Sequence, residues 1–203
     1  FLGYSPGVAT IGDLITGIEN RDGNANVRFN QRKTLHRFFM RYESRNLHIR
    51  RFRADCGSCS EDVVKEIVEH CDTYYIRANR CQSMYDQIFS LKGWKTVEIN
   101  GIEYELNSIL VEKWKGFACR LIIQRQKRPN GEQDIWEGEY TYRCIMTNDY
   151  ISTPQEIVEF YNKRGGQERI FDDLDNGVGG KKLPKSFMSE KTVFLLITAM
   201  IRN

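Results

Sequence analysis

No stretch of this 203-residue chain is apolar for long enough to cross a membrane. The longest, Val193 to Ile201 with Thr198 inside it, is about half of the roughly 20 residues a span requires, and it predicts a buried helix. The start lacks the basic, apolar and small-residue series of a secretory signal, so the six cysteines read as reduced, cytosolic thiols and not as a disulfide framework. An excess of one charge is missing too. The formal net charge is +3, which permits nucleic-acid binding without demanding it. Of only four prolines, the first after Cys59 is Pro129, and His36 and His48 stand isolated, as helix-surface and strand residues do. The chain opens at Phe1 without a methionine and stops at Asn203 directly after the apolar helix, so both ends read as cut.

What is present is an alternation of strands and helices. Val8 to Ile11 and Leu14 to Ile18, separated by Gly12-Asp13, predict a hairpin. Leu35, Phe38, Phe39 and Tyr42 recur at helical spacing, and Arg32, Lys33, Arg37, Arg41 and Arg45 occupy the opposite face. Leu47 to Ala54 predicts a strand that ends at Asp55. Ser60 caps a helix through Cys71, Thr73 to Ala78 is a further strand, and Met84, Ile88 and Leu91 mark a short helix. From Trp94 to Thr147 the pattern turns β-rich, with strands at Thr96 to Ile99, Ile102 to Leu106, Cys119 to Gln124 and Glu139 to Ile145. Asn100-Gly101 predicts a tight hairpin turn. Thr153-Pro154-Gln155-Glu156 is a capping box with proline in the first turn; a helix follows through Tyr161, and another is expected over Gln167 to Leu174. The expected organisation is an α/β core in 1–92, a β-rich insertion in 93–148 and a helical return to the core in 149–203.

Two places carry chemistry. Asp55 stands at a strand end, a position where most acids are solvated turn residues or helix caps, so by itself it is weak evidence. Tyr161, Arg164 and Glu168 fall at i, i+3 and i+7, so on a continuous helix they share one face, although Gly165-Gly166 could break it. A tyrosine, a cation and an acid on one face suit a site for phosphate and metal; a surface ion pair between Arg164 and Glu168 is the plainer reading.

Tyr161 to Glu168 resembles the Y-x-x-R-x-x-x-E signature of bacterial insertion-sequence DDE transposases, which are RNase H-like nucleases and strand transferases. The likeness extends to Phe52-Arg53-Ala54-Asp55-Cys56-Gly57-Ser58-Cys59, to Tyr75-Ile76-Arg77-Ala78-Asn79-Arg80, to the Gly3-Tyr4-Ser5-Pro6-Gly7 opening and to Leu183-Pro184-Lys185-Ser186-Phe187. It implies an RNase H-like mixed sheet flanked by helices, with a β-rich insertion between the second and third catalytic acids. Asp55 would be the second acid and Glu168 the third, together holding Mg²⁺, for which Mn²⁺ can substitute; Tyr161 and Arg164 would lie beside the scissile phosphate. The family's first catalytic aspartate lies on a strand before the Gly3-Tyr4-Ser5-Pro6 segment. None of Asp13, Glu19, Asp22 and Glu43 occupies its place, so the chain is expected to be a C-terminal piece, inactive alone. Asp175 departs from the wider pattern, which has a lysine after the glutamate; Lys181 and Lys182 lie out of register. The implied partners are double-stranded DNA, at element ends and target, and a second copy in a homodimeric synaptic complex. The implied setting is the bacterial cytoplasm, away from the membrane.

Candidate DNA contacts are Arg50, Arg51 and Arg53 beside Asp55, Arg125, Lys127 and Arg128 in the insertion, and Lys181, Lys182 and Lys185 after the glutamate. Trp94, Trp114 and Trp136 in the insertion could stack on a displaced base, with a core role the alternative. The competing function is a thiol-redox or zinc protein. Cys56-Gly57-Ser58-Cys59 sits between a strand and a helix start, where a reactive dithiol belongs, and His70 with Cys71 could complete a zinc site, although adjacent helical residues point apart.

Overall fold

A computed structural model describes residues 6–26, 28–79, 82–135, 137–163, 169–170, 172–177 and 187–203. The chain divides into two compact units, residues 39–163 and residues 1–38 with 164–203. Helix α1 (Gln31–Glu43) contributes its first turns to the latter and Phe39 to Glu43 to the former.

The larger unit is a six-stranded mixed sheet flanked by helices, the α/β arrangement expected of an RNase H-like domain. Strand β3 (Ile49–Ala54), helix α2 (Glu61–His70) and β4 (Cys71–Arg77) form a parallel βαβ pair, with Ile49 opposite Cys71 and Ala54 opposite Ile76. After the short helix α3 (Gln82–Phe89) come β5 (Lys95–Ile99), β6 (Ile102–Trp114), β7 (Phe117–Lys127) and β8 (Tyr140–Thr147). They add in antiparallel fashion to give the order β3-β4-β8-β7-β6-β5. Strands β5 to β8 therefore extend the β3–β4 pair through the β4–β8 pairing.

Both faces of the central strands are covered, which is why β7 reads as a continuous buried run over Leu121 to Gln124. Helix α2 buries Val63, Val64 and Ile67 and packs on β4. Helix α4 (Pro154–Asn162) presents Ile157 and Val158 to Tyr75, Ile122 and Ile145.

In the smaller unit, β1 (Gly7–Ile11) and β2 (Leu14–Glu19) form the expected hairpin. Gly17 is obligatory there, because a Cβ would stand 2.6 Å from the Phe38 ring. Ile15, Ile170, Leu174 and Ala199 make this unit's core, and Asn203, which caps helix α5 (Met188–Arg202), closes on Ile15 through bonds of 2.9 and 2.7 Å to its backbone N–H and carbonyl.

Three sequence expectations shift. Asn100 and Gly101 adopt the left-handed turn expected of them, at φ 54° and 75°, but β6 runs on past Leu106 to Trp114. Its second half is partly exposed on both faces, so no alternation marks it, and cross-strand bonds to β7 hold it. Helix α2 passes into β4 at Cys71 without a loop. Helix α5 is not wholly buried. Lys191, Leu195, Thr198 and Ala199 form its inner stripe, while Val193, Leu196, Ile197, Met200 and Ile201 face outward.

Tyr74 is 1% exposed, and its hydroxyl finds no partner among the described residues. Burial pushes this phenol far above its ordinary range. A buried hydroxyl without a bond costs about 1–3 kcal/mol. Tyr74→Phe is therefore expected to raise the melting temperature by roughly 2–12 °C; a scan in which the variant melts below the parent would show that the hydroxyl is bonded.

Candidate active site

Parallel strands leave their carboxyl ends as the open side of an α/β sheet, and ligands gather there. Asp55 directly follows β3 at that end. Its carboxylate is exposed, and Oδ1 accepts the Gly57 N–H at 2.9 Å, capping the single 3₁₀ turn Cys56–Ser58. The backbone on each side of Asp55 is tied. Asn79, just past β4, donates through Nδ2 to the Cys59 carbonyl at 2.9 Å, and the Tyr161 hydroxyl donates to the Ala54 carbonyl at 3.1 Å.

Tyr161 reaches Ala54 because α4 is fixed at both ends. Upstream, Asp149 forms an Asx-type turn by accepting the N–H groups of Ile151 and Ser152 at 3.0 and 2.9 Å, and it accepts the Tyr75 hydroxyl at 2.8 Å. Arg120 of β7 clamps the same loop by donating to the carbonyls of Asp149 and Ser152 at 3.0 and 2.6 Å. Thr153 and Glu156 then form the expected reciprocal cap. Downstream, Arg53 donates through Nη1 to the Phe160 carbonyl at 2.7 Å, and its guanidinium lies 4.6 Å from the centre of the Phe160 ring. Burial pushes the Asp149 carboxyl up, but the bonds from Ser152, Tyr75 and Ile151 outweigh it and hold the group at about 2.

Asp55 and Tyr161 are thus brought to one strand end. Arg164 and Glu168 lie outside the described residues, as do Lys181, Lys182, Lys185 and Trp136. Arg50 and Arg51 are exposed on β3. The cations of the insertion have acidic partners: Arg125 meets Glu105 at 2.7 Å, Arg128 meets Glu137 at 2.9 Å, and Lys127 stands 3.8 Å from Glu139. Arg125 is also sandwiched between Trp94 and Tyr140, at 4.0 and 4.2 Å, while Trp114 packs on Phe117 beside the β6–β7 turn. A cleft of about 280 Å³ between α4 and the β3–β4 face is lined by Arg51 and Lys163 but also by Asp149, Glu156 and Glu159, so an anion inside it would meet three carboxylates. Sequence reasoning overlooked Arg120, Asp149 and Phe160. The Asp149-x-x-Ser152-Thr153-Pro154 stretch was the available signal, since an Asx turn feeding a capped proline start fixes where a helix begins.

Among the described residues, the cysteines do not form a reactive cluster. Cys56 is exposed, whereas Cys59, Cys71, Cys119 and Cys144 are buried free thiols. Burial, with Asp72 and Glu43 nearby, pushes the Cys71 thiol up to about 12. Both ring nitrogens of His70 face carboxylates, Glu43 at 2.7 Å and Glu66 at 3.1 Å. Among the described residues, Cys56, Cys59, His70 and Cys71 do not converge on a common point.

Compared with known families, residues 7–203 match the one described as "Transposase DDE domain". No curated protein matches the chain.

Two outcomes follow from the site. Asp149→Ala is expected to lower stability by about 1–3 kcal/mol at pH 7. Because the folded carboxyl sits below its ordinary value, its contribution is complete above about pH 4 and disappears as pH falls toward about 2. Denaturant melts of parent and variant should therefore converge over that window, and a gap that persists at pH 2 would contradict the assignment. In the native protein, Cys56→Ser should remove one fast-reacting thiol equivalent and Cys59→Ser none, with a zinc chelator leaving both counts unchanged.

Proposed function

The chain belongs to the transposase DDE-domain family, a family that acts on DNA and generally uses divalent metal ions, and on that premise we propose that it is the part of an insertion-sequence transposase carrying the second and third catalytic acids, Asp55 and Glu168. The observation that carries this reading is the bond from the Tyr161 hydroxyl to the Ala54 carbonyl, which docks the first residue of the Y-x-x-R-x-x-x-E pattern beside Asp55.

The donor chemistry fits a hard cation. Asp55 is an exposed carboxylate at a strand end, and carboxylate oxygens suit Mg²⁺, with Mn²⁺ able to replace it. Asp55 and Glu168 would hold the metal, which, when bound, lowers the cost of activating water or a 3′ hydroxyl and of releasing the leaving oxygen. Arg50 and Arg51 would take backbone phosphates beside Asp55, with Lys181 and Lys182 extending the contact after the glutamate; Arg164 would neutralise charge at the reacting phosphate while Tyr161 keeps the strand end in place. Arg125, Lys127 and Arg128 would join only by exchanging their acidic partners for phosphate. Residues 93–148 are the insertion between the two acids. Two copies would assemble on paired element ends in the bacterial cytoplasm. Asp55 and Glu168 are two carboxylates where the mechanism uses three, so the 203-residue chain alone would nick at little useful rate.

Nicking of element-end DNA in Mg²⁺ or Mn²⁺ tests this. An in-frame version extended upstream of Phe1 should be active, the 203-residue chain should be slower by about 100-fold or more, and Asp55→Ala or Glu168→Ala should abolish activity of the extended version. Equal rates for the short and extended proteins would mean that the site is misplaced. The short chain should still bind duplex DNA weakly, with affinity falling as salt rises and a shallower salt slope once Arg50 and Arg51 are both neutralised.

A further inference from the structure

Arg53 stands in the sequence with Arg50 and Arg51 as one basic cluster, yet its surroundings differ. Arg50 and Arg51 are exposed, Arg51 with its guanidinium over the Phe160 ring at 4.9 Å, while Arg53 is half-buried and is the one of the three that also donates to a carbonyl in the last turn of α4. The final carbonyls of a helix have no partner within it, and a cation there is favoured by the helix dipole. Phe160 supplies one of those carbonyls, and Arg53 donates to it at 2.7 Å while covering the Phe160 ring at 4.6 Å. The next residue along the helix answers in the opposite direction: Tyr161 donates to Ala54, the residue after Arg53. Two adjacent residues of β3 and two adjacent residues of α4 are thus joined by a crossed pair of bonds, immediately before Asp55. The Phe160 ring is itself braced against Tyr75, with ring centres 4.8 Å apart, and Tyr75 is bonded to Asp149.

We propose that Arg53 is a positioning residue that clasps the end of α4 to the end of β3 and so fixes the backbone that presents Asp55, and that it is not a phosphate contact. The catalytic sense of this rests on reading Asp55 as a metal-holding acid. A lysine keeps the positive charge but has neither the planar fork nor the flat face that the carbonyl and ring require. Charge and geometry can therefore be separated by one substitution.

The test compares Arg53→Lys, Arg53→Ala, Tyr161→Phe and the pair Arg50→Ala and Arg51→Ala in the intact chain. Amide hydrogen exchange over residues 159–163 should accelerate about tenfold or more in both Arg53 variants, as expected for loss of a charge-assisted bond. Mn²⁺ affinity, read from the free-ion resonance signal, should weaken in Arg53→Lys, Arg53→Ala and Tyr161→Phe. The salt slope of DNA binding should stay at the parent's value in Arg53→Lys and Arg53→Ala and fall only in the Arg50 and Arg51 variants. Parent-like exchange in Arg53→Lys would overturn the clasp, and so would an Arg53→Ala salt slope reduced as much as that of Arg51→Ala. If Asp55→Ala leaves Mn²⁺ affinity unchanged, the reading of Asp55 fails and takes the catalytic role of Arg53 with it, while the exchange data still decide whether the clasp exists.

Discussion

The antiparallel pairing of β8 with β4 is the constraint from which the rest of the larger unit follows. Tyr75 opposite Thr147 and Arg77 opposite Ile145 make β8 run back toward the amino ends of the parallel strands. The chain therefore leaves β8 on the side of the sheet remote from Asp55. The helix that follows has one compact way to continue, across the sheet face toward the carboxyl ends. Nine residues of α4 at about 1.5 Å each cover roughly the distance spanned by four strand residues, and this delivers Phe160 and Tyr161 to Arg53 and Ala54. Had β8 paired in parallel, the same helix would have ended at the wrong side of the sheet.

This arrangement makes strands β5 to β8 part of what positions the candidate site. Arg120 lies in β7, yet its donors hold the loop that launches α4, and Asp149 ties that loop to Tyr75 of β4. Strands that look like an appendage in the sequence set the starting point of a helix whose far end lies beside Asp55. Rigid elements hold reacting groups more reproducibly than loops do, and here a strand end and a helix end are joined by two short bonds.

The arginines illustrate how one residue type is divided between tasks. Arg120 and Arg53 donate to backbone carbonyls, where a fixed fork of donors is worth more than a charge. Arg125 and Arg128 neutralise acids within the insertion. Arg50 and Arg51 are exposed, Arg51 with its guanidinium over the Phe160 ring at 4.9 Å. A mildly basic net charge thus conceals a division that composition cannot reveal.

Local chemistry made much of this legible in the sequence. The Asn100-Gly101 turn, the Thr153–Glu156 cap, the β1–β2 hairpin and the β3–α2–β4 alternation each depend on a few neighbouring residues, and each is present. The family pattern singled out Asp55 and Tyr161, which the fold brings to one strand end. Three things were not legible: the length of β6, the half-exposed state of α5, and the roles of Arg53, Arg120 and Asp149. The extension of β6 rests on its pairing with β7, and Arg53 and Arg120 meet carbonyls far away in the sequence; neither periodicity nor spacing encodes which carbonyl an arginine will meet. The sequence by itself determined the elements, their caps and the residue types available for metal and phosphate. Tertiary structure decided which cations are committed to the fold, because only the register of β8 on β4 fixes where α4 begins and where it ends.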